Sequence, residues 1–180
     1  MDSYKTEGIV LKRINFGEAD KIITFFTKHH GKVVCLAKGV RRLTSRKRGN
    51  LEIFSRVKFF AVRGKSMDIV TETELIESFS GWRGDLKKVT VAYQLCEIVD
   101  KLTAEKSEQE EVFTLLVSYL GKLEQAENYE SYVDYFGGNI LKILGFWPRM
   151  KPFPKDFSIT GYIEEISERE LKSKKFFRNL

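Results

Sequence analysis

Residues 7–39 read EGIVLKRINFGEADKIITFFTKHHGKVVCLAKG. β-branched and aromatic residues fill three runs, EGIVLKRINF, DKIITFFTK and GKVVCLAKG, broken by a polar turn from Asn15 to Glu18 containing Gly17 and by a second turn at Gly31. Such runs bounded by glycine-bearing turns predict strands joined as hairpins. The same grammar continues in FSRVKFFAVRG and MDIVTETELIESF, joined at Arg63-Gly64-Lys65-Ser66. Five strands in about 80 residues leave no room for the helical crossovers that parallel neighbours require, so an antiparallel sheet is expected. A set of this size closes most often as a small Greek-key barrel of OB or SH3-like type.

One connection in this half is long, and its content is unusual. KGVRRLTSRKRG, residues 38–49, holds Lys38, Arg41, Arg42, Arg46, Lys47 and Arg48, with only Val40 and Leu43 able to reach a core. Arginine outnumbers lysine there, and a guanidinium is the better fork for phosphate oxygens. Gly39 and Gly49 flank the segment and suit a loop that orders on its ligand. The whole-chain charge of +6 has the same bias. Residues 1–80 carry 16 Lys and Arg against 9 Asp and Glu, a balance of +7, which leaves −1 for residues 81–180. A polyanion-binding first half follows. Phe16, Phe54, Phe59 and Phe60 lie near the cations in sequence and are candidates for stacking on bases where they do not face the core.

After SGWRGD the periodicity becomes helical. Asp85 is placed as an N-cap, followed by Leu86, Val89, Tyr93, Cys96, Val99 and Leu102 at three- and four-residue steps. SEQEEVFTLLVSYLGKLEQ presents Ser107 and Glu110 at capping-box spacing, then a stripe of Val112, Phe113, Leu116, Leu120 and Leu123. A third helix is expected from near Tyr129 to Leu144, with Gly137-Gly138 speaking against its continuity. Further on, FSITGYIEEI reads as two short strands, and SERELKSKKFFRNL as a final helix opened by Ser167 and Glu170. The fold class is therefore α+β: a barrel domain over 1–80 and a mostly helical domain over 81–180.

Catalytic constellations are missing from the pattern. His29 and His30 are adjacent, so they point to opposite sides at a strand end and lack the spacing of a zinc pair. No Walker A or GxGxxG run occurs. Cys35 and Cys96 sit in apolar surroundings and are expected as buried thiols of a reducing cytoplasm. No run approaches the ~20 apolar residues of a membrane helix, and MDSYKTEG shows no export signal. A non-enzymatic protein without catalytic residues, metal or cofactor is expected.

These residues together resemble a known family. GIVL, GEADKIITFFT, HGK, AKGVRR, Ser45-Arg46 and GNLEIFS occur in the order found in the N-terminal OB domain of the RecO family, the bacterial recombination mediators. ILGFWP at 143–148 is similar to the segment preceding that family's zinc module. The resemblance implies binding of single- and double-stranded DNA, strand annealing, engagement of the tail of single-stranded DNA-binding protein and, with RecR, loading of RecA at gaps and breaks. It implies a cytoplasmic, nucleoid-associated protein. The DNA surface carried over comprises Lys38, Arg41, Arg42, Arg46, Lys47 and Arg48, with Lys12 and Arg13. The tail-binding site belongs to the helical domain, and Lys142, Phe146, Trp147 and Arg149 are its nominees. One departure stands out: many relatives follow this stretch with four zinc-binding cysteines, and no cysteine follows Cys96 here. No structural zinc is expected, residues 150–166 being a cysteine-free remnant of that module, and the C-terminal region looks shorter than in most relatives. A second reading is an adaptor that bridges RecR and the single-stranded DNA-binding protein with little DNA contact of its own.

Overall fold

A computed structural model of the chain describes residues 2–43, 45 and 47–177. It divides into two compact units, one of residues 1–79 with 103–113, the other of residues 80–102 with 114–180.

Five strands form the first unit: β1 (Ser3–Phe16), β2 (Asp20–Thr27), β3 (Gly31–Ala37), β4 (Arg56–Val62) and β5 (Asp68–Glu77). They close as a barrel in the order β1-β2-β3-β5-β4, with β4 returning to β1. Every neighbouring pair is antiparallel except β3 and β5, which run parallel through Cys35–Asp68 and Leu36–Ile69. A closed ring with an odd number of strands cannot alternate direction throughout, so one parallel seam is unavoidable. Alternation along the strands sends Val10, Ile23, Phe25, Val33, Cys35, Val57, Phe59, Ala61 and Val70 inward. Phe25 and Phe59 stack at 4.2 Å between ring centroids in the middle of that core. Burial also pushes the Cys35 thiol up to about 12, with Asp68 adding to it, so the side chain packs as a small apolar group.

Alternation fails at Phe26, which points outward yet is fully buried. The reason is the 103–113 segment, which belongs to the same unit. Phe113 lies 6.5 Å from the Phe26 ring, the Lys106 N–H donates to the Lys32 carbonyl at 3.0 Å, and Lys28 pairs with Glu110 at 3.2 Å. His29 and His30 occupy the β2–β3 turn, as their spacing predicted.

The second unit is helical: α1 (Leu86–Leu102), the greater part of α2 (Glu110–Lys122), α3 (Tyr129–Ile143), α4 (Ile159–Ser167) and α5 (Lys172–Phe177). Asp85 caps α1, its carboxylate accepting from the N–H groups of Lys87 and Lys88. The buried face of α1 differs from the expected stripe: Val91, Leu95 and Ile98 are fully buried, while Leu86 and Tyr93 are exposed. Cys96 and Val99 of the expected stripe are buried as well, so the buried face of this helix is broader than the stripe and shifted from its N-terminal members. On α2 the expected stripe, Val112 to Leu123, is buried throughout, but the helix begins at Glu110 and not at Ser107. Trp82, in a 3-10 turn ahead of α1, is buried and donates its indole N–H to the Leu120 carbonyl at 2.8 Å.

Gly137-Gly138 does not break α3. Both glycines are buried, and a Cβ on Gly137 would stand 2.9 Å from Ile159 and 3.0 Å from Ile163. The pair is a flat strip on which α4 lies. The expected strands in FSITGYIEEI are therefore incorrect. Ser158 accepts from the Gly161 N–H and opens α4, burying Ile159 and Ile163 at helical spacing. Ser167 closes this helix and does not cap the next. No helix among the described residues is long and apolar enough to cross a membrane.

Candidate nucleic-acid interface

The 38–55 connection is anchored from within. Val40 and Leu51 enter the barrel core, which fixes the loop at two points. Backbone groups do the remaining anchoring near its start. The Gly39 N–H donates to Asp20 Oδ1 at 2.7 Å, and the Arg41 N–H donates to the Ala19 carbonyl at 2.9 Å. Further along, Asn50 Nδ2 donates to the Thr73 carbonyl at 3.0 Å. The expected loop, mobile between its two glycines, is thus tied to the β1–β2 turn and to β5.

Its cationic heads remain largely outside this framework. Lys38, Arg41, Arg42 and Arg48 are exposed, and among the described residues no carboxylate pairs with any of them. Arg41 Nη1 donates to the Gly17 carbonyl at 3.1 Å, which orients the guanidinium without neutralising it. Lys47 is more confined, its ammonium donating to the Val70 carbonyl at 3.2 Å. Arg46 lies outside the described residues. Of the two nominees on β1, Lys12 is exposed, whereas Arg13 pairs with Glu52 at 2.6 Å and is partly neutralised.

Lys21 was not anticipated. Partial burial pushes its ammonium below the usual lysine range; Arg13, Arg41 and Arg48 act in the same direction and Glu52 opposes them. Lys21, Arg13, Arg41 and Arg48 therefore lie within electrostatic reach of one another at one end of the barrel, with Glu52 among them. Such a cluster favours the arrival of a multiply charged anion, because each phosphate relieves repulsion already present. In the sequence Lys21 reads as an ordinary strand residue; only the cross-strand register, which sets it opposite Asn15 and Ala37, brings it to the loop.

On the helical unit, Lys142 and Trp147, two of the four nominees, border one cluster of aromatic rings. Trp147 is the hub of a ring cluster, its centroid 4.7 Å from Phe153, 4.9 Å from Phe157 and 6.0 Å from Tyr162. Lys142 lies over Phe153 at 5.2 Å, and Lys151 lies over Trp147 at 5.5 Å. Phe146 and Arg149 are exposed. Among the described residues one group offers metal-ligand atoms close together, His29, Glu108 and Glu110, all solvent-exposed. Glu110 is already paired with Lys28.

Two family models match the chain, described as Recombination protein O N terminal over residues 1–79 and Recombination protein O C terminal over residues 83–151. Similar curated proteins are the DNA repair protein RecO of Bifidobacterium adolescentis, 38% identical over 154 residues, covering 84% of this chain and 63% of that one. That of Rubrobacter xylanophilus is 36% identical over 151 residues, with 83% and 60% covered. That of Pelotomaculum thermopropionicum is 35% identical over 148 residues, with 82% and 57% covered. The chain spans about three fifths of the length of these relatives.

Proposed function

The chain belongs to the RecO family, and from that premise we propose that it is a non-enzymatic DNA-binding mediator of repair and recombination. It grips sugar-phosphate backbones of single and double strands, promotes annealing and, with RecR and the tail of the single-stranded DNA-binding protein, helps load RecA. The observation that carries this reading is the set of exposed cations, Lys38, Arg41, Arg42 and Arg48, gathered with Lys21 at one barrel end and left without carboxylate partners among the described residues. Backbone contacts of this kind carry little sequence information, which suits a protein that must act at any gap. A polycationic face also lowers the repulsion between two strands brought together, which is the physical content of annealing.

Fluorescence anisotropy of a labelled, unstructured oligonucleotide across a salt series tests the proposal. With about six phosphates neutralised, log affinity falls with log salt at a slope of about −4 for single strands and about −5 for duplex. Replacing Arg41, Arg42, Arg46 and Arg48 with Ala weakens binding and flattens the slope. An unchanged slope would show that the loop is not the contact, and would favour an adaptor with little DNA binding of its own.

A further inference from the structure

One carboxylate next to the loop is engaged with its backbone and not with its cations. Asp20 opens β2, and its Oδ1 accepts from the Gly39 N–H at 2.7 Å. Among the described residues it forms no ion pair with Lys38, Arg41, Arg42 or Arg48. The bond belongs to a set of three made by residues 17–20. The Ala19 carbonyl accepts from the Arg41 N–H at 2.9 Å, and the Gly17 carbonyl accepts from Arg41 Nη1 at 3.1 Å. Of the three, the Asp20 bond is the one whose acceptor is a side chain.

What this set holds is a turn. Gly39 has a φ of +65°, and its carbonyl accepts from the Arg42 N–H at 3.1 Å. Arg42 lies back over the turn, so that a Cβ on Gly39 would stand 3.7 Å from its Cδ. Three exposed cations, Lys38, Arg41 and Arg42, are therefore carried by one backbone bend.

Two effects of Asp20 on phosphate binding oppose each other. Its negative charge repels a polyanion, so charge alone predicts tighter binding once the carboxylate is removed. Its hydrogen bond acts in the other sense. A loop already fixed in its binding shape loses less conformational freedom when the ligand arrives. A bond from a backbone N–H to a carboxylate is also stronger than one between neutral groups.

We propose that Asp20 is a positioning residue: by holding the Gly39 N–H it fixes the bend that presents Lys38, Arg41 and Arg42 to phosphates, and this ordering outweighs its repulsion. The inference rests on the DNA-binding reading above and assigns what keeps that site organised.

Two variants remove the same charge and differ in the acceptor. Asp20→Asn retains an oxygen for the Gly39 N–H, whereas Asp20→Ala retains none. Fluorescence anisotropy of a labelled oligo-dT across a salt series compares them, with folding verified by far-UV circular dichroism and urea denaturation. Asp20→Ala is expected to bind about fivefold or more weakly, against the direction that charge predicts. Its salt slope becomes shallower by about 0.7 or more, the equivalent of one phosphate contact. Asp20→Asn binds as tightly as the parent or more tightly, with the slope unchanged. In a background of Arg41→Ala/Arg42→Ala, Asp20→Ala costs less than about twofold, because the cations it positions are gone.

Three results overturn the inference while leaving the cationic loop's role standing. If both variants bind at least as tightly as the parent, Asp20 is an anion with no positioning role. If Asp20→Asn is weakened as much as Asp20→Ala, the hydrogen bond is not what matters. If the Asp20→Ala loss persists in full without the two arginines, it does not act through them. A parent protein that binds neither single strand nor duplex overturns the DNA-binding reading and this inference together.

Discussion

Gly31 shows what a single residue settles here. Its φ of +61° lies in the left-handed region, and a Cβ would stand 2.0 Å from the Ser107 carbonyl oxygen. Glycine is therefore required twice, for the backbone angle and for the close approach of the 103–113 segment. Gly31→Ala is expected to destabilise the barrel unit by about 3 kcal/mol or more, against less than about 0.5 kcal/mol for Gly49→Ala, where nothing lies within 4 Å of the added carbon. Urea denaturation of the two variants checks this. The turn at Gly31 was legible in HHGK, because strand runs flank it. Its meeting with Ser107 was not, since no local pattern announces a contact so distant in the chain. Lys21 is a similar case: its chemistry depends on Arg13, Arg41 and Arg48, which only strand register brings near.

At the level of elements, legibility tracked how long a periodic pattern ran. The five strands and the stripe of α2 were evident because alternation or helical spacing persisted over many residues. The last elements are short and depend on partners elsewhere. Helix α5, six residues long, takes its cap from α1: both carboxylate oxygens of Glu97 accept, from the N–H of Lys172 at 2.9 Å and from the N–H of Ser173 at 2.9 Å, and the Ser173 hydroxyl donates to it as well. Lys101, almost wholly buried, pairs with Glu97 at 3.5 Å and donates to the Arg169 carbonyl. Burial alone would raise the Glu97 carboxyl, but the bonds from Ser173 and Lys172 and the Lys101 charge outweigh it and hold the group below its usual range. Its stabilising contribution is thus complete above the unfolded value of about 4.3 and is lost as pH falls through the lowered folded value. Glu97→Gln should cost the helical unit about 2 kcal/mol at neutral pH and shrink toward no effect in acid. Urea midpoints recorded down the pH scale would contradict this if the gap between variant and parent stayed constant.

Across the whole molecule, the two units carry different chemistry: the cations concentrate in the barrel half, and the ring cluster lies in the helical half. The barrel was legible because a cationic loop, glycine turns and five alternating runs all agreed. The region following α3 was misread because FSITGY has β-branched residues in a segment that a serine cap and the Gly137-Gly138 strip turn into a helix. The rings of Trp147, Phe153, Phe157 and Tyr162 pack against one another in the stretch that the sequence resemblance led us to expect as a cysteine-free remnant of a zinc module. A chelator is accordingly expected to leave the thermal midpoint of the helical unit unchanged, while Trp147→Ala lowers its stability by about 2 kcal/mol. Calorimetry with and without chelator, and on the variant, decides both points. The placement of aromatic residues has one more consequence. The two indoles of the chain, Trp82 and Trp147, both belong to the helical unit, and the barrel unit holds a single tyrosine, Tyr4. Light absorbed selectively by tryptophan therefore reports on the helical half, so melting of the barrel half is to be followed by a probe other than the protein's intrinsic tryptophan emission.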